Sequence, residues 1–248
     1  MAGVSVPEAP VMRLRGVSKS YAGRPVLSGL DLDIRPEVTV LLGPNGAGKS
    51  TLLDLLSLVA PPQAGMIEWH GEEMRRTRQV KRAMRGISYL PQHFSFPSSY
   101  TAADVVDYAA WLRKVRAPRR AGEVLAMVGL EGEARKKVRT MSGGMRQRLG
   151  IATCLIGDPE LIVLDEPTVG LDPAQRIQFR RVLSSVDAAV LLSTHLVEDA
   201  VVLADRVLVL HEGRFVFDGS LPELEALAGP VGDSPAERGY MSLIGATR

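Results

Sequence analysis

The chain reads as an α/β protein with a mainly parallel sheet flanked by helices, and three stretches carry that reading. The first is an apolar run, Val38 to Leu42, that passes through Gly43-Pro44-Asn45-Gly46-Ala47-Gly48-Lys49-Ser50-Thr51 into the helical pattern Leu52, Leu53, Leu55, Leu56. The second is a further buried-strand run, Leu161 to Leu164, closed by the adjacent carboxylates Asp165 and Glu166. The third is Ala188 to Ser193, closed by Thr194-His195. Polar groups at the carboxyl ends of parallel strands lie in the crevice where such sheets bind ligands.

The loop is the most informative of the three. Its pattern G-x-x-x-x-G-K-S leaves Gly43, Gly46 and Gly48 without Cβ atoms, so the backbone can curl around a phosphate and turn successive N–H groups inward. The following helix adds its positive end. Lys49 then reaches phosphate oxygens as a point charge, Ser50 offers a hydroxyl to Mg²⁺, and Thr51 steadies a further phosphate. A glycine-rich turn that bound nothing would not need Lys-Ser at these two places. Asp165 is expected to hold the metal shell, and Glu166, turned the other way by strand alternation, to polarise a water. His195 is placed to donate to a terminal phosphate.

Composition bounds the rest. At 248 residues, one α/β domain with a secondary lobe fits best. Hydrophobic content of 46% beside 23% charged residues is ordinary for a globular protein with a sizeable core. No apolar run approaches the ~18 residues of a membrane span, and MAGVSVPEAPV lacks the form of a leader, so a cytosolic chain is expected. The single cysteine, Cys154, excludes an internal disulfide and falls in an apolar helical stretch, where a buried thiol is expected. A net charge of +2 argues against a protein built chiefly to bind nucleic acid. The basic clusters Arg75 to Arg85, Arg113 to Arg120 and Arg135 to Arg139 read as solvated helix faces.

In chain order, residues 1–10 read as a loose tail, and Val11 to Val17 and Pro25 to Ile34 as strands around the turn Ser20-Tyr21-Ala22-Gly23. Tyr21 is an exposed aromatic able to stack on a ring. After the loop's helix, Pro61-Pro62 closes the element, Met66 to His70 reads as a strand, Glu72 to Arg85 as an exposed helix, and Gly86 to Leu90 as a strand followed by Pro91-Gln92. From Thr101 to about Val138 strand signals vanish. The spacing Val105, Tyr108, Ala109, Leu112 and then Val124, Leu125, Val128, Leu130 predicts a helical insert. Ser142-Gly143-Gly144 opens another helix, with Ser142 as N-cap and free N–H groups at its positive end. Asp172 is placed to cap the helix after Gly170-Leu171-Asp172-Pro173. A hairpin follows around His211 to Arg214, then a short helix from Leu221 to Ala228 and an amphipathic tail through Tyr240, Leu243 and Ile244. The four histidines are too scattered for a metal site.

Taken in order, these features resemble the nucleotide-binding subunit of ABC transporters over residues 11 to 220. Tyr21 matches the adenine-stacking loop, GPNGAGKST the Walker A loop, Gln92 the Q-loop, SGGM at 142–145 the signature, LIVLDEP the Walker B strand, GLD at 170–172 the D-loop and His195 the switch histidine. The resemblance implies a P-loop NTPase core at 11–91 and 160–220, with an N-terminal antiparallel β subdomain. It also implies an inserted α-helical subdomain at 92–159 and a short helical extension at 221–248. ATP and Mg²⁺ are the implied ligands, with Ser50, Gln92 and Asp165 around the metal. Glu166, His195, Lys49 and Gln92 are the implied catalytic group. Two chains packed head to tail would each lend Ser142, Gly143 and Gly144 to the other's ATP, and Asp172 of the D-loop is a further implied nucleotide-binding residue. A separate membrane permease would dock on the helical lobe, near Phe94, Phe96 and Tyr100. The expected place is the cytoplasmic face of the cell membrane.

The signature departs from the usual Leu-Ser-Gly-Gly-Gln: Met141 is conservative, but Met145 lacks the amide. Export is the expected direction, because the run from Ser193 to Ser220 resembles the branch moving drugs, lipids or polysaccharides and no further sizeable domain follows Gly219. Two other classes compete. A soluble ABC-type ATPase of ribosome, nucleic-acid or iron–sulfur work would favour tandem cassettes, a long coiled-coil insert or zinc cysteines, none present here. A small-molecule kinase would need neither SGGM nor His195.

Overall fold

The computed structural model describes residues 9–115 and 119–245. The expected N-terminal tail lies outside them up to residue 8, as do the last three residues of the expected C-terminal extension. The chain forms two sheets. Strands β1 (Met12–Tyr21) and β2 (Arg24–Ile34) make an antiparallel hairpin, and β3 (Val38–Leu42) leads through the glycine-rich loop into helix α1 (Lys49–Leu56). The hairpin turn is shorter than expected. Tyr21 already pairs with Arg24, leaving Ala22 and Gly23 as a two-residue loop with φ of 49° and 77°. Strand β4 (Ala64–Trp69) returns to pair with β1.

The span expected as one helix from Glu72 to Arg85 is instead divided. His70 and Gly71 turn the chain back, so that β5 (Glu72–Glu73) pairs with β4, and only α2 (Thr77–Ala83) is helical. Gly71 at φ 75° takes the left-handed conformation that the reversal demands. The four-stranded sheet then has the order β2-β1-β4-β5.

Strand β6 (Ile87–Leu90) opens the second half. Helices α3 (Ala102–Leu112), α4 (Ala121–Met127) and α5 (Gly143–Leu155) follow without an intervening strand. Then come β7 (Leu161–Asp165), α6 (Pro173–Ser185), β8 (Ala189–Thr194), α7 (Val197–Leu203), β9 (Arg206–His211), β10 (Arg214–Gly219), α8 (Leu221–Glu225) and α9 (Pro235–Gly245). The second sheet has the order β10-β9-β3-β8-β7-β6, parallel throughout except for β10.

Strand alternation divides the core between the faces of this sheet. Leu41, Val163, Leu191 and Leu208 face α1 and the antiparallel sheet, where Leu52, Leu53, Leu55 and Leu56 are fully buried. Val40, Leu164, Leu192 and Val209 face the opposite layer, which is continuous with the apolar faces of α3, α4 and α5 and with Tyr240 of α9. Truncating Leu52, Leu53, Leu55 or Leu56 to alanine is expected to remove ~2–5 kcal/mol of unfolding free energy.

The buried stripe of α3 is rotated from the expected one. Ala102, Val105, Val106 and Ala110 face inward, while Tyr108 and Leu112 stay 44% and 61% exposed. Tyr108 meets Tyr100 edge-on and stacks on Trp111, so these aromatics form a surface run of their own.

Cys154 lies on α5 at 3% exposure, and burial pushes its thiol up to about 11, against the opposing effects of Arg113 and Thr153. Native protein near pH ~8 is therefore expected to show no thiol reactive toward an aromatic disulfide, and one after unfolding. Rapid native labelling would contradict the placement. Gly43 passes so close to β9 that a Cβ there would lie 2.4 Å from the Leu210 carbonyl oxygen. Gly43→Ala is expected to cost ~1–3 kcal/mol of stability in nucleotide-free protein, read as a lowered melting temperature; unchanged melting would mean the backbone has more room than this.

Candidate functional site

Strands β3, β6, β7 and β8 run parallel, so their carboxyl ends share one edge of the sheet, and the predicted polar groups gather there. The loop after β3 is held from behind by the β9–β10 turn, where the Gly213 N–H donates to the Ala47 carbonyl at 3.1 Å. Gly48, at φ 106°, precedes α1 and gives it no side-chain cap. The first N–H groups of α1 therefore face the cavity rather than a capping oxygen. The three loop glycines answer different demands. Gly43 yields to the neighbouring backbone, Gly48 combines φ 106° with the close approach of Val26 and Leu27, and Gly46, at φ 81°, stands in open space.

Lys49 is 8% exposed, and its ammonium donates to the carbonyls of Gly43 at 2.5 Å and Pro44 at 3.3 Å. Burial lowers its pKa, opposed by the charges of Glu166 and Asp165. Asp165, at 5% exposure, accepts from the Ser50 hydroxyl at 3.0 Å and from the Ser193 hydroxyl at 2.5 Å. Glu166 does not continue the strand's alternation as expected. β7 ends at Asp165, and Glu166 turns away at φ 51°, its N–H donating to Ser193. That turn brings its carboxylate, 6% exposed, to 2.8 Å from Nδ1 of His195, whose ring is half exposed.

A cavity of ≈250 Å³ is lined by Pro44, Asn45, Gly46, Gly48, Lys49, Ser50, Thr51, Gln92, Asp165 and Glu166, with Val26 at its edge. The 3.0 Å between the Ser50 and Asp165 oxygens matches the edge of an octahedron with ~2.1 Å metal–oxygen bonds, so these hard donors fit Mg²⁺. Among the described residues no three His, Cys, Asp or Glu side chains converge as an all-protein metal site. A cation here would rely on water and ligand oxygens for the rest of its shell. A larger hollow of ≈810 Å³ lies on α2, lined by Arg76, Arg78, Lys81, Arg82 and Arg85. It is a surface of long exposed side chains, without the aimed backbone donors and carboxylates of the smaller cavity.

Tyr21, Ser142, Gly143, Gly144 and Asp172 do not line this cavity. Tyr21, 48% exposed on the hairpin, sits under the Lys19 ammonium at 5.6 Å. Ser142 caps α5, its hydroxyl accepting from the Met145 N–H at 3.2 Å, and Gly143 beside it is exposed. Gly144 faces the Gly170 carbonyl and Gln175, and Asp172 caps α6 by accepting from the Gln175 N–H at 2.9 Å. The signature and the Gly170–Asp172 turn thus form a second cluster. Met145 packs on the core, so the position that lacks an amide serves packing in this chain. Phe94 also turns inward, against Gly150. Ser193, which ties Asp165 to Glu166, was not singled out from the sequence; a serine beside a threonine and histidine at a strand end was its only signal.

Known proteins resemble this chain in sequence and in fold. Residues 27–169 match the family described as "ABC transporter". The daunorubicin resistance ATP-binding protein DrrA3 of Streptomyces coeruleorubidus is 40% identical over 221 residues, covering 86% of this chain and 69% of that protein. The aliphatic sulfonates import ATP-binding protein SsuB 1 of Nocardia farcinica is 40% identical over 220 residues, covering 86% of this chain and 83% of that protein. A solved structure of an ATP binding subunit of an ABC transporter superposes with TM-score 0.76 at 26% identity, covering 94% of this chain and 99% of that one. The chain belongs to the ABC transporter family, as an ATP-binding subunit that hydrolyses ATP.

Proposed function

We propose that Glu166 is the residue that acts on the attacking water, that Lys49 and His195 stabilise charge on the terminal phosphoryl group, and that Gln92 reports on the site to the helical segment 92–159. The observation carrying this is the 2.8 Å contact of Glu166 with His195 at the mouth of a cavity lined by the loop from Pro44 to Thr51. The buried Glu166 carboxylate is fixed by one partner and has an oxygen left to accept a proton. His195 orients it and carries positive charge when protonated. Loop N–H groups and Lys49 neutralise phosphate oxygens, and Tyr21 stacks on the adenine. Ser50, Asp165 and Gln92 would hold Mg²⁺, which when bound offsets charge on the phosphate oxygens.

A head-to-tail pair of such chains, identical or not, is the proposed working unit. That Ser142, Gly143, Gly144 and Asp172 do not line this chain's own cavity supports use of the signature residues on a partner's ATP. The separate permease lies in the membrane, and this subunit binds it from the cytoplasmic side. We place its seat on the 92–159 lobe. The exposed aromatics Tyr108 and Trp111, the latter 71% exposed, extend the expected groove of Phe94, Phe96 and Tyr100 there. Export is the proposed direction, supported by the resemblance of the Ser193–Ser220 run and by a drug-resistance relative. The sulfonate-import relative, equal in identity, keeps import as the second reading. No nucleic acid is a proposed partner.

Glu166→Gln is expected to lower ATP turnover about a hundredfold or more while ATP still binds; wild-type turnover would sink the assignment. Affinity purification from detergent-solubilised membranes is expected to recover a partner with several spans of ~20 apolar residues, and less of it with Trp111→Ala. Recovery of ribosomes or nucleic acid instead would move a soluble ABC-type ATPase to the front.

A further inference from the structure

Asp199 of α7 is 2% exposed, yet it does not line the nucleotide cavity. One carboxylate oxygen accepts from the Thr168 hydroxyl at 2.6 Å and the Thr194 hydroxyl at 2.8 Å, and the other accepts from the Arg176 guanidinium at 3.2 Å. Thr168 and Thr194 are fully buried, so neither hydroxyl has water to turn to. Each donor comes from a different stretch of chain. Thr168 is two residues beyond Glu166, and Thr194 immediately precedes His195. Arg176 stands at the start of α6, next to the turn that ends at Asp172. Thr194 also accepts from the Leu196 N–H at 3.1 Å, closing the bend on which His195 sits.

We propose that Asp199 is a positioning residue for hydrolysis: it locks the turn after Glu166 and the bend before His195 onto one anchor, and ties both to the Gly170–Asp172 turn. The proposal rests on the reading of Glu166 given above. Glu166 is held at φ 51°, a conformation an L-residue keeps only where its surroundings enforce it. Its own backbone is tied to the next turn by the Val169 N–H, 3.3 Å from the Glu166 carbonyl, and the Leu171 N–H, 3.1 Å from that of Thr168. With the carboxylate at 199 in place, Thr168 cannot shift without breaking a buried bond, and Glu166 and His195 keep their 2.8 Å contact. A buried carboxylate satisfied by two hydroxyls and a guanidinium is also what a charge needs to persist at this depth. A change felt at the Gly170–Asp172 turn, through Arg176, reaches the catalytic pair by the same carboxylate.

The test uses the full-length chain with ATP and Mg²⁺. Asp199→Asn and Asp199→Ala are expected to lower kcat about tenfold or more, since a misplacement of ~1 Å is enough for such a loss, while the ATP dissociation constant stays within about twofold. Adding Asp199→Asn to Glu166→Gln is expected to lower the residual turnover no further. Unchanged kcat, or a parallel loss of kcat, nucleotide affinity and melting temperature, would overturn the positioning role. Should the Asp199 variants not fold, Thr168→Val and Thr168→Ser decide: the valine is expected to reproduce the kcat loss and the serine to restore turnover, and equal turnover in both would overturn the proposal. Normal turnover in Asp199→Asn beside a dead Glu166→Gln would overturn the positioning alone. Normal turnover in Glu166→Gln would remove the catalytic reading beneath it.

Discussion

The parallel register of the central sheet is the constraint on which the site depends. Leu42 pairs with Thr194 and Asp165 with Ser193, while Leu90 pairs with Leu164. Those pairings bring the ends of four strands that are far apart in the chain to one edge, and each strand delivers its polar group as it leaves the sheet. An antiparallel arrangement of the same runs would send alternate ends to opposite edges. The buried leucines and valines on both faces hold this register, because a slip by one residue would turn each apolar set toward the wrong layer.

Each buried charge in the gathered group has a polar partner. Lys49, Asp165 and Glu166 are each less than a tenth exposed, a condition that isolated ions do not tolerate. The loop carbonyls take the ammonium, Ser50 and Ser193 take the first carboxylate, and His195 takes the second. The cavity therefore keeps a polar lining within a largely apolar sheet. Ser193 has a particular place here: its hydroxyl donates to Asp165 and accepts from the Glu166 N–H, so two adjacent carboxylates with different partners share one hinge.

The helical segment connects to that edge through α5. Its N-terminus stands beside the Gly170 turn, and Gln147 donates to the Pro167 carbonyl at 3.0 Å, immediately after Glu166. α5 is thereby joined to the residue that follows Glu166, the carboxylate proposed to act on the water. The exposed aromatic run on α3 belongs to the same layer, which shares its apolar cluster with the parallel sheet.

Local sequence was sufficient wherever a short stretch carries its own physics. The loop from Gly43 to Thr51, the capping by Ser142 and Asp172, the buried thiol of Cys154 and the hairpin after His211 are set by neighbouring residues, and the α/β class follows from their order. Where competing local preferences were equal, the sequence was ambiguous. The stretch after Gly71 divided into a strand and a helix because pairing with β4 was on offer, and α3 buries its smaller residues Ala102, Val105, Val106 and Ala110 in the cluster shared with α4 and α5, leaving Tyr108 and Trp111 outside. What only the tertiary structure decided is which distant groups meet. Ser193 between Asp165 and Glu166, Gly43 against Leu210, and Asp199 beneath Thr168 and Thr194 are contacts between strand ends and turns, and no spacing along the chain encodes a distance across a sheet.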